Sequence, residues 1–326
     1  MGISNSPHWM PASGKPQTLL INGDSAGERG ASLSVLVGLL ITLGALLGGF
    51  AAMGGNVAVI WQPWEFVIIG GTALGTFIVA NPWKVVLDSG QASVQAIMVA
   101  VPRQRDYLEL LGLLYALMRE MRSKARNEVE AHIDDPHSSE IFKAFPGVLR
   151  QSSLVHFICD YFRLIVIGNV RTYEIEALMD EEIQTISASK LKPYHAIMVV
   201  AEALPALGIV AAVLGVIKAM GAIDQSPKIL GSFIGAALVG TFAGIFLSYG
   251  MLSPLAIKIK MTREAQCRLY LIIKQTLLAF MNGALPQVAL EHGRKIISEG
   301  ERPSIDVVEG ETISMANSKA AAERAA

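Results

Sequence analysis

Charge is what this sequence has least of. Only 17% of its 326 residues are Asp, Glu, Lys or Arg, against about 25% in an ordinary soluble domain. The two signs nearly cancel, 27 basic against 28 acidic, leaving a net charge of −1 and a pI near 6.6. Without a basic field there is nothing to draw the chain to nucleic acid. Cysteine is equally scarce. Cys159 and Cys267 stand too far apart in sequence for a disulfide scaffold or a zinc site and read as buried small hydrophobes. No Walker loop, HExxH, GxSxG or Cys/His metal spacing occurs, so neither an enzyme activity nor a resident metal or cofactor is expected.

What the chain has in excess is apolar side chain, with a mean hydropathy of +0.44. It is concentrated in four blocks. Leu33–Met53 and Ile229–Leu252 carry no charge, Trp61–Ala80 carries only Glu65, and Ala196–Ile217 only Glu202. Each reaches the roughly 20 apolar residues that a helix needs to cross a bilayer, and a soluble helix rarely stays apolar on every face for so long. A fifth candidate, Leu154–Val170, holds His156, Asp160 and Arg163. A mid-membrane charge costs about 3 kcal/mol, so this segment is read as a soluble helix. The first block is no signal peptide, because a long polar stretch precedes it and no A-x-A site closes it.

Basic residues set the orientation. The loops Gly54–Ile60 and Ala222–Lys228 are almost free of them, whereas Lys84, Lys190, Lys192, Lys258, Lys260 and Arg263 flank the other ends of the blocks. The positive-inside rule therefore places both termini and residues 83–194 in the cytoplasm. The expected fold is an all-α polytopic membrane protein with four transmembrane helices and a helical cytoplasmic domain. Residues 1–32 form a disordered extension, 33–82 the first two spans, 83–194 the cytoplasmic domain, 195–255 spans three and four, 256–304 a helical tail and 305–326 a disordered end. In the domain, Asp106–Arg126 places Leu110, Leu111, Leu114, Leu117, Met118 and Met121 at helical spacing, and Tyr173–Ala188 reads as an acidic helix.

Ionisable groups inside apolar spans mark pores, partners or watery cavities. Glu65 fits such a place, and equally an interfacial one beside Trp61 and Trp64. Glu202 lies deeper in its block, three residues before Pro205, and reads as a functional or structural polar contact. Lys218 can snorkel outward. Pro205 and Pro254 can kink or hinge their helices. The Thr241 hydroxyl reads as a bond back to its own helix. Gly pairs four apart, Gly44/Gly48, Gly71/Gly75, Gly231/Gly235 and Gly240/Gly244, favour close helix packing. A large cytoplasmic unit joined to two ion-compatible spans supports a channel, transporter or coupling subunit.

At this point the residues resemble a family. The run from Gln62-Pro-Trp-Glu65 to Val79-Ala-Asn81 is similar to the second span of MotA, the ion-channel subunit of the bacterial flagellar stator. Leu204-Pro-Ala-Leu-Gly208 resembles its third span, and Val239-Gly-Thr-Phe-Ala-Gly244 with Ser253-Pro-Leu255 its fourth. Asp160-Tyr-Phe-Arg163, Tyr173-Glu-Ile-Glu176 through Glu182, Gly293-Arg-Lys295 and Glu301-Arg-Pro-Ser304 match in collinear order, so the likeness runs from about residue 33 to 304. It implies an inner-membrane pentameric ring around a single-span, peptidoglycan-binding MotB partner that supplies the ion-carrying aspartate, with the rotor protein FliG as the cytoplasmic partner. It assigns conformational coupling to Pro205 and Pro254, the pore threonine to Thr241 and the rotor-facing pair to Arg122 and Glu130. Arg119, Arg126 and Glu128 lie close enough to leave that register open. Sodium-driven relatives of the PomA type carry a second threonine seven residues after the third-span proline. Here that position is Ala212, so the expected ion pathway of Thr241, Ala212, Glu202 and Glu65 carries H⁺. The competing readings are an ExbB/TolQ-like energy-transducing subunit, whose large loop follows the first of only three spans, and a static membrane scaffold.

Overall fold

The computed structural model describes residues 24–98, 101–168 and 170–310, and within that range every regular element is a helix. The expectations for residues 1–23 and 311–326 lie outside it. The order is α1 (Asp24–Ala52), a short 3-10 turn (Val57–Ile60), α2 (Pro63–Ala80), α3 (Trp83–Ile97), α4 (Gln104–Ser123), α5 (Arg126–Asp134), α6 (Glu140–Lys143), α7 (Pro146–Leu149), α8 (Ser152–Ile167), α9 (Thr172–Met220), α10 (Pro227–Ile245), a π-helical turn (Phe246–Leu252), α11 (Ser253–Met281) and α12 (Pro286–Ile296). Residues 305–310 add a final helical stretch, inside the segment expected to be irregular.

Three helical stretches are long and apolar enough to cross a membrane: Val57–Ala80, Thr172–Met220 and Pro227–Met281. The apolar part of α1, Val37–Ala52, is shorter. The domain boundaries near residues 194 and 255 fall inside continuous helices. The acidic helix and the third apolar block are one helix, α9, which also passes through Pro193 and Pro205. A proline forfeits one backbone hydrogen bond, and neighbours at i±3 and i±4 keep the rest of the ladder going.

α9 and α10 cross at very small separation, and glycine is the reason. A methyl group on Gly244 would stand 2.6 Å from the Leu204 carbonyl oxygen and 2.8 Å from Gly208 Cα. Further out, Gly215 lies against Ala237. In lipid, where apolar side chains gain nothing by leaving their solvent, such backbone approach is a main source of helix association. Of the four Gly pairs singled out by spacing, only Gly240/Gly244 is packed this way. Gly44, Gly48, Gly71, Gly75, Gly231 and Gly235 have open space within 4 Å.

Beyond α10 the helix widens. The Ser253 N–H donates to Ser248 O, five residues back, and Pro254 follows at the start of α11. Proline has no N–H to give the preceding turn, and one turn of π geometry absorbs the mismatch. Apolar cavities of about 350 and 290 Å³ flank this turn, and a third of about 630 Å³ separates α1 from α10.

The polar half is a helical body with one core. Tyr107, Leu110, Leu111, Leu114, Leu117 and Met118 of α4 are fully buried and share this core with Phe157, Ile158 and Phe162 of α8 and the inner face of α11. The expected soluble helix is therefore α8, with Asp160 and Arg163 on its outer face. Lys274 of α11 is only 7% exposed and reaches both oxygens of Asp180 on α9, at 2.7 and 2.6 Å, with Glu176 at 3.7 Å. The Tyr161 hydroxyl donates to Glu182 at 2.7 Å. Burial and that carboxylate push its pKa upward. Arg163 bridges Asp160 and Asp134, tying α8 to α5.

Candidate functional site

Glu65 sits in the first turn of α2, just after Pro63. Its side chain turns inward: the residue is 9% exposed, and Oε2 has no hydrogen-bond partner. A buried carboxylate without a partner is expensive, so its place defines a site. The oxygen points at the α9–α10 crossing, where a methyl on Gly240 would meet Oε2 at 2.9 Å, Ala211 Cβ at 3.2 Å and the Ala212 backbone nitrogen at 3.4 Å. Glycine at 240 thus leaves the room into which the carboxylate extends. The carboxylate turns toward this crossing, while Trp61 and Trp64 beside it are exposed.

Thr241 follows Gly240 and is partly buried. Its hydroxyl makes no hydrogen bond among the described residues, whereas Thr42, Thr76 and Thr262 all bond back to a carbonyl four residues earlier. The expected back-bond is absent at the one threonine where it matters. Ala212 is likewise partly buried. The fold therefore gathers Glu65, Ala212 and the Thr241 turn at one level. Lys218 acts on Glu65 electrostatically, and its ammonium lies 4.7 Å from the centre of the Phe233 ring.

The other expected residues stand apart from this cluster. Glu202 is exposed on α9 and without a partner among the described residues, about 15 Å from Ala212 along the helix axis at 1.5 Å per residue. Pro205 is partly buried inside α9, and Pro254 is exposed below the π turn. Arg122 is exposed in the last turn of α4. Glu130 is partly buried on α5, across the Lys124–Ala125 break. Lys124 fills that corner with ion pairs to Glu128 at 3.3 Å and Glu120 at 3.9 Å.

Sequence reasoning missed Gly208 and Gly215, which lie seven apart rather than four, and Ser248, fully buried with an unpartnered hydroxyl in the π turn. The seven-residue spacing could have exposed the first two, since it returns a residue to the same helix face. Nothing local signals the third.

Comparison with known proteins gives the arrangement a context. Residues 36–125 match the family described as Motility protein A N-terminal, and residues 150–270 the MotA/TolQ/ExbB proton channel family. The chain is 41% identical to Motility protein A of Salmonella typhimurium over 83% of its length and 92% of that protein's. It is also 41% identical to Motility protein A of Escherichia coli, with the same coverage. Chemotaxis protein LafT of Vibrio parahaemolyticus is 36% identical over 84% of this chain and 96% of its own. In fold the chain is similar to a MotAB structure from C. jejuni, with a TM-score of 0.67 and 19% identity over 83% of this chain and 98% of that one. The flagellar MotAB stator complex of Bacillus subtilis gives 0.60 and 22% over 78% and 92%.

Proposed function

The chain belongs to the motility protein A family, the flagellar stator subunits within the MotA/TolQ/ExbB proton channel group, and from this we propose that it couples proton flow to torque on the flagellar rotor. It is an inner-membrane protein with membrane-spanning helices. In this reading α1, α2, α9 and α10 supply four spans, both termini face the cytoplasm, and five copies surround a MotB-type single-span partner anchored to peptidoglycan. The partner's aspartate carries the proton. The chain's own part is to line the path and to move.

The observation that carries the reading is the inward Glu65, set against Gly240 beside the free hydroxyl of Thr241 and the methyl of Ala212. A partly dehydrated sodium ion needs several oxygens in place of its lost water. Ala212 offers none on its side chain, which favours H⁺, for which a titratable carboxylate and a water path suffice. One charge crossing 100 mV releases about 2.3 kcal/mol, enough to bias a hinge such as the π turn above Pro254. Arg122 and Glu130 then meet complementary charges on a FliG-type rotor protein, where such pairs govern encounter and specificity. Glu202, on the exposed face of α9, serves the inner end of the path. The helical body follows the second span, which fits this family better than an ExbB/TolQ-like subunit. Nothing in this role calls for catalysis.

The test is swimming speed in cells that carry this chain and its partner as the only stator, with external Na⁺ replaced by K⁺ at constant pH. Speed holds without sodium and collapses with a protonophore. A steep sodium dependence would overturn the proton assignment.

A further inference from the structure

One face of α9 is left open along the apolar zone. His195, Val199, Glu202, Ala206, Ile209 and Val213 recur at alternating steps of four and three, which puts them on one side of the helix, and all six are exposed. Ala196, Ala201, Leu204, Gly208 and Ala211, on the other side, are buried. Most of the open stripe is aliphatic and would suit lipid. Glu202 would not, because a charge inside a span turns to a protein interior or a watery cavity. It is the only carboxylate between Lys192 and Met220. The inner half of the stripe therefore borders water, and His195 stands on it two turns nearer the helical body, about 10 Å from Glu202 along the axis. The imidazole is steadied but not engaged. Tyr194 lies against it with 4.8 Å between ring centroids, and neither ring nitrogen has a hydrogen-bond partner among the described residues. The charges around it are Lys192, exposed one turn further in on the same side, and Lys260 of α11, which stands 5.4 Å from the Tyr194 ring and pairs with Glu264 at 3.9 Å.

We infer that His195 is the proton-release group at the inner end of the path, taking the proton that reaches Glu202 and passing it to cytoplasmic water. Only a proton moves. The protonated Glu202 carboxyl gives it through intervening water to a neutral ring nitrogen of His195, which leaves a carboxylate ready for the next one. The imidazolium then yields a proton to bulk water and returns to the neutral ring. Histidine is the side chain type that changes charge between about pH 5 and 8, so it can both accept and release a proton in a cytoplasm near neutrality. Val199, the one residue between the two on this face, offers no competing acceptor. His195 depends on the stator reading for the direction of flow and adds to it a group that the reading does not use.

The test uses cells that carry this chain and its partner as the only stator. A permeant weak acid moves cytoplasmic pH from about 8 to about 6, across the histidine range, and external pH is moved in step so that the proton gradient stays constant. Wild-type speed falls over this range, as His195 is occupied by a proton it cannot pass on. His195→Gln is slow throughout and no longer responds to cytoplasmic pH. His195→Glu, a different acceptor, recovers speed and moves the fall to lower pH. His292→Gln, exposed on α12 away from the stripe, behaves as the wild type. All variants keep their membrane level and co-purify with the partner. The inference is overturned if His195→Gln keeps wild-type speed, or if it slows yet keeps the wild-type response to cytoplasmic pH. A wild-type chain that drives no swimming removes the stator reading itself, and His195 loses its role with it.

Discussion

At the scale of single residues the molecule is decided by where side chains are missing. Gly208, Gly240 and Gly244 let two helices touch through their backbones and leave the space that Glu65 enters. The consequence can be measured. Gly244→Ala drives a methyl into Leu204 O, and overpacking of this kind costs about 1–3 kcal/mol. The purified complex should unfold several degrees lower, whereas Gly235→Ala, with open space around it, should change little. Equal losses from the two would mean that the α9–α10 crossing is not the tight one. Lys274 gives a second asymmetry. Truncating both Asp180 and Glu176 to Ala strands a buried ammonium, a fault worth about 3–5 kcal/mol. Lys274→Met instead leaves two carboxylates that are already half in water. The double truncation should therefore destabilise the helical body much more than the methionine does, as read by thermal unfolding.

At the scale of elements the polar half is held by clamps between helices. α12 is one of them. Arg294 donates from Nε and Nη2 to Glu291 at 2.6 and 2.7 Å, and from Nη1 to Pro303 O at 2.8 Å, which folds the chain after residue 300 back onto the body. The Arg294 bonds hold the Glu291 carboxyl below its ordinary pKa of 4.5. A depressed carboxylate pKa stabilises the fold fully above the ordinary value and loses that effect as pH falls through the lowered one. Proteolytic protection of residues 301–310 should thus persist from neutrality to pH 5 and fade only in stronger acid. Arg294→Gln should lose protection at every pH. Unchanged protection in that variant would show that Val308, buried at 6%, holds the segment alone.

At the scale of the whole molecule α9 and the α10–α11 stretch each run unbroken from the apolar zone into the helical body. α11 reaches α4 in that body, and the π turn, with cavities on either side, is where the α10–α11 stretch can bend. The arrangement presupposes a definite topology. Reporter fusions at residues 57, 150 and 225 should read outside, inside and outside. An outside signal from residue 150 would invert the assignment and move the Arg122 and Glu130 surface away from any rotor.

The sequence by itself determined the helices, because apolar periodicity and the absence of charge act within one segment. The apolar blocks, the amphipathic α4, the charge-bearing α8 and the basic residues at 84, 190, 192, 258, 260 and 263 were all legible there. It also carried the family motifs at Gln62–Asn81, Leu204–Gly208 and Val239–Gly244. Only the tertiary structure decided which of these features meet. Glu65 and Gly240 are 175 positions apart, and no local pattern says that one fills the space the other leaves. Three glycine pairs with the right spacing face open space, and a threonine expected to bond its own helix does not. Pairing between helices depends on which faces are turned toward each other, and that is set by packing across the whole chain rather than by any stretch of it.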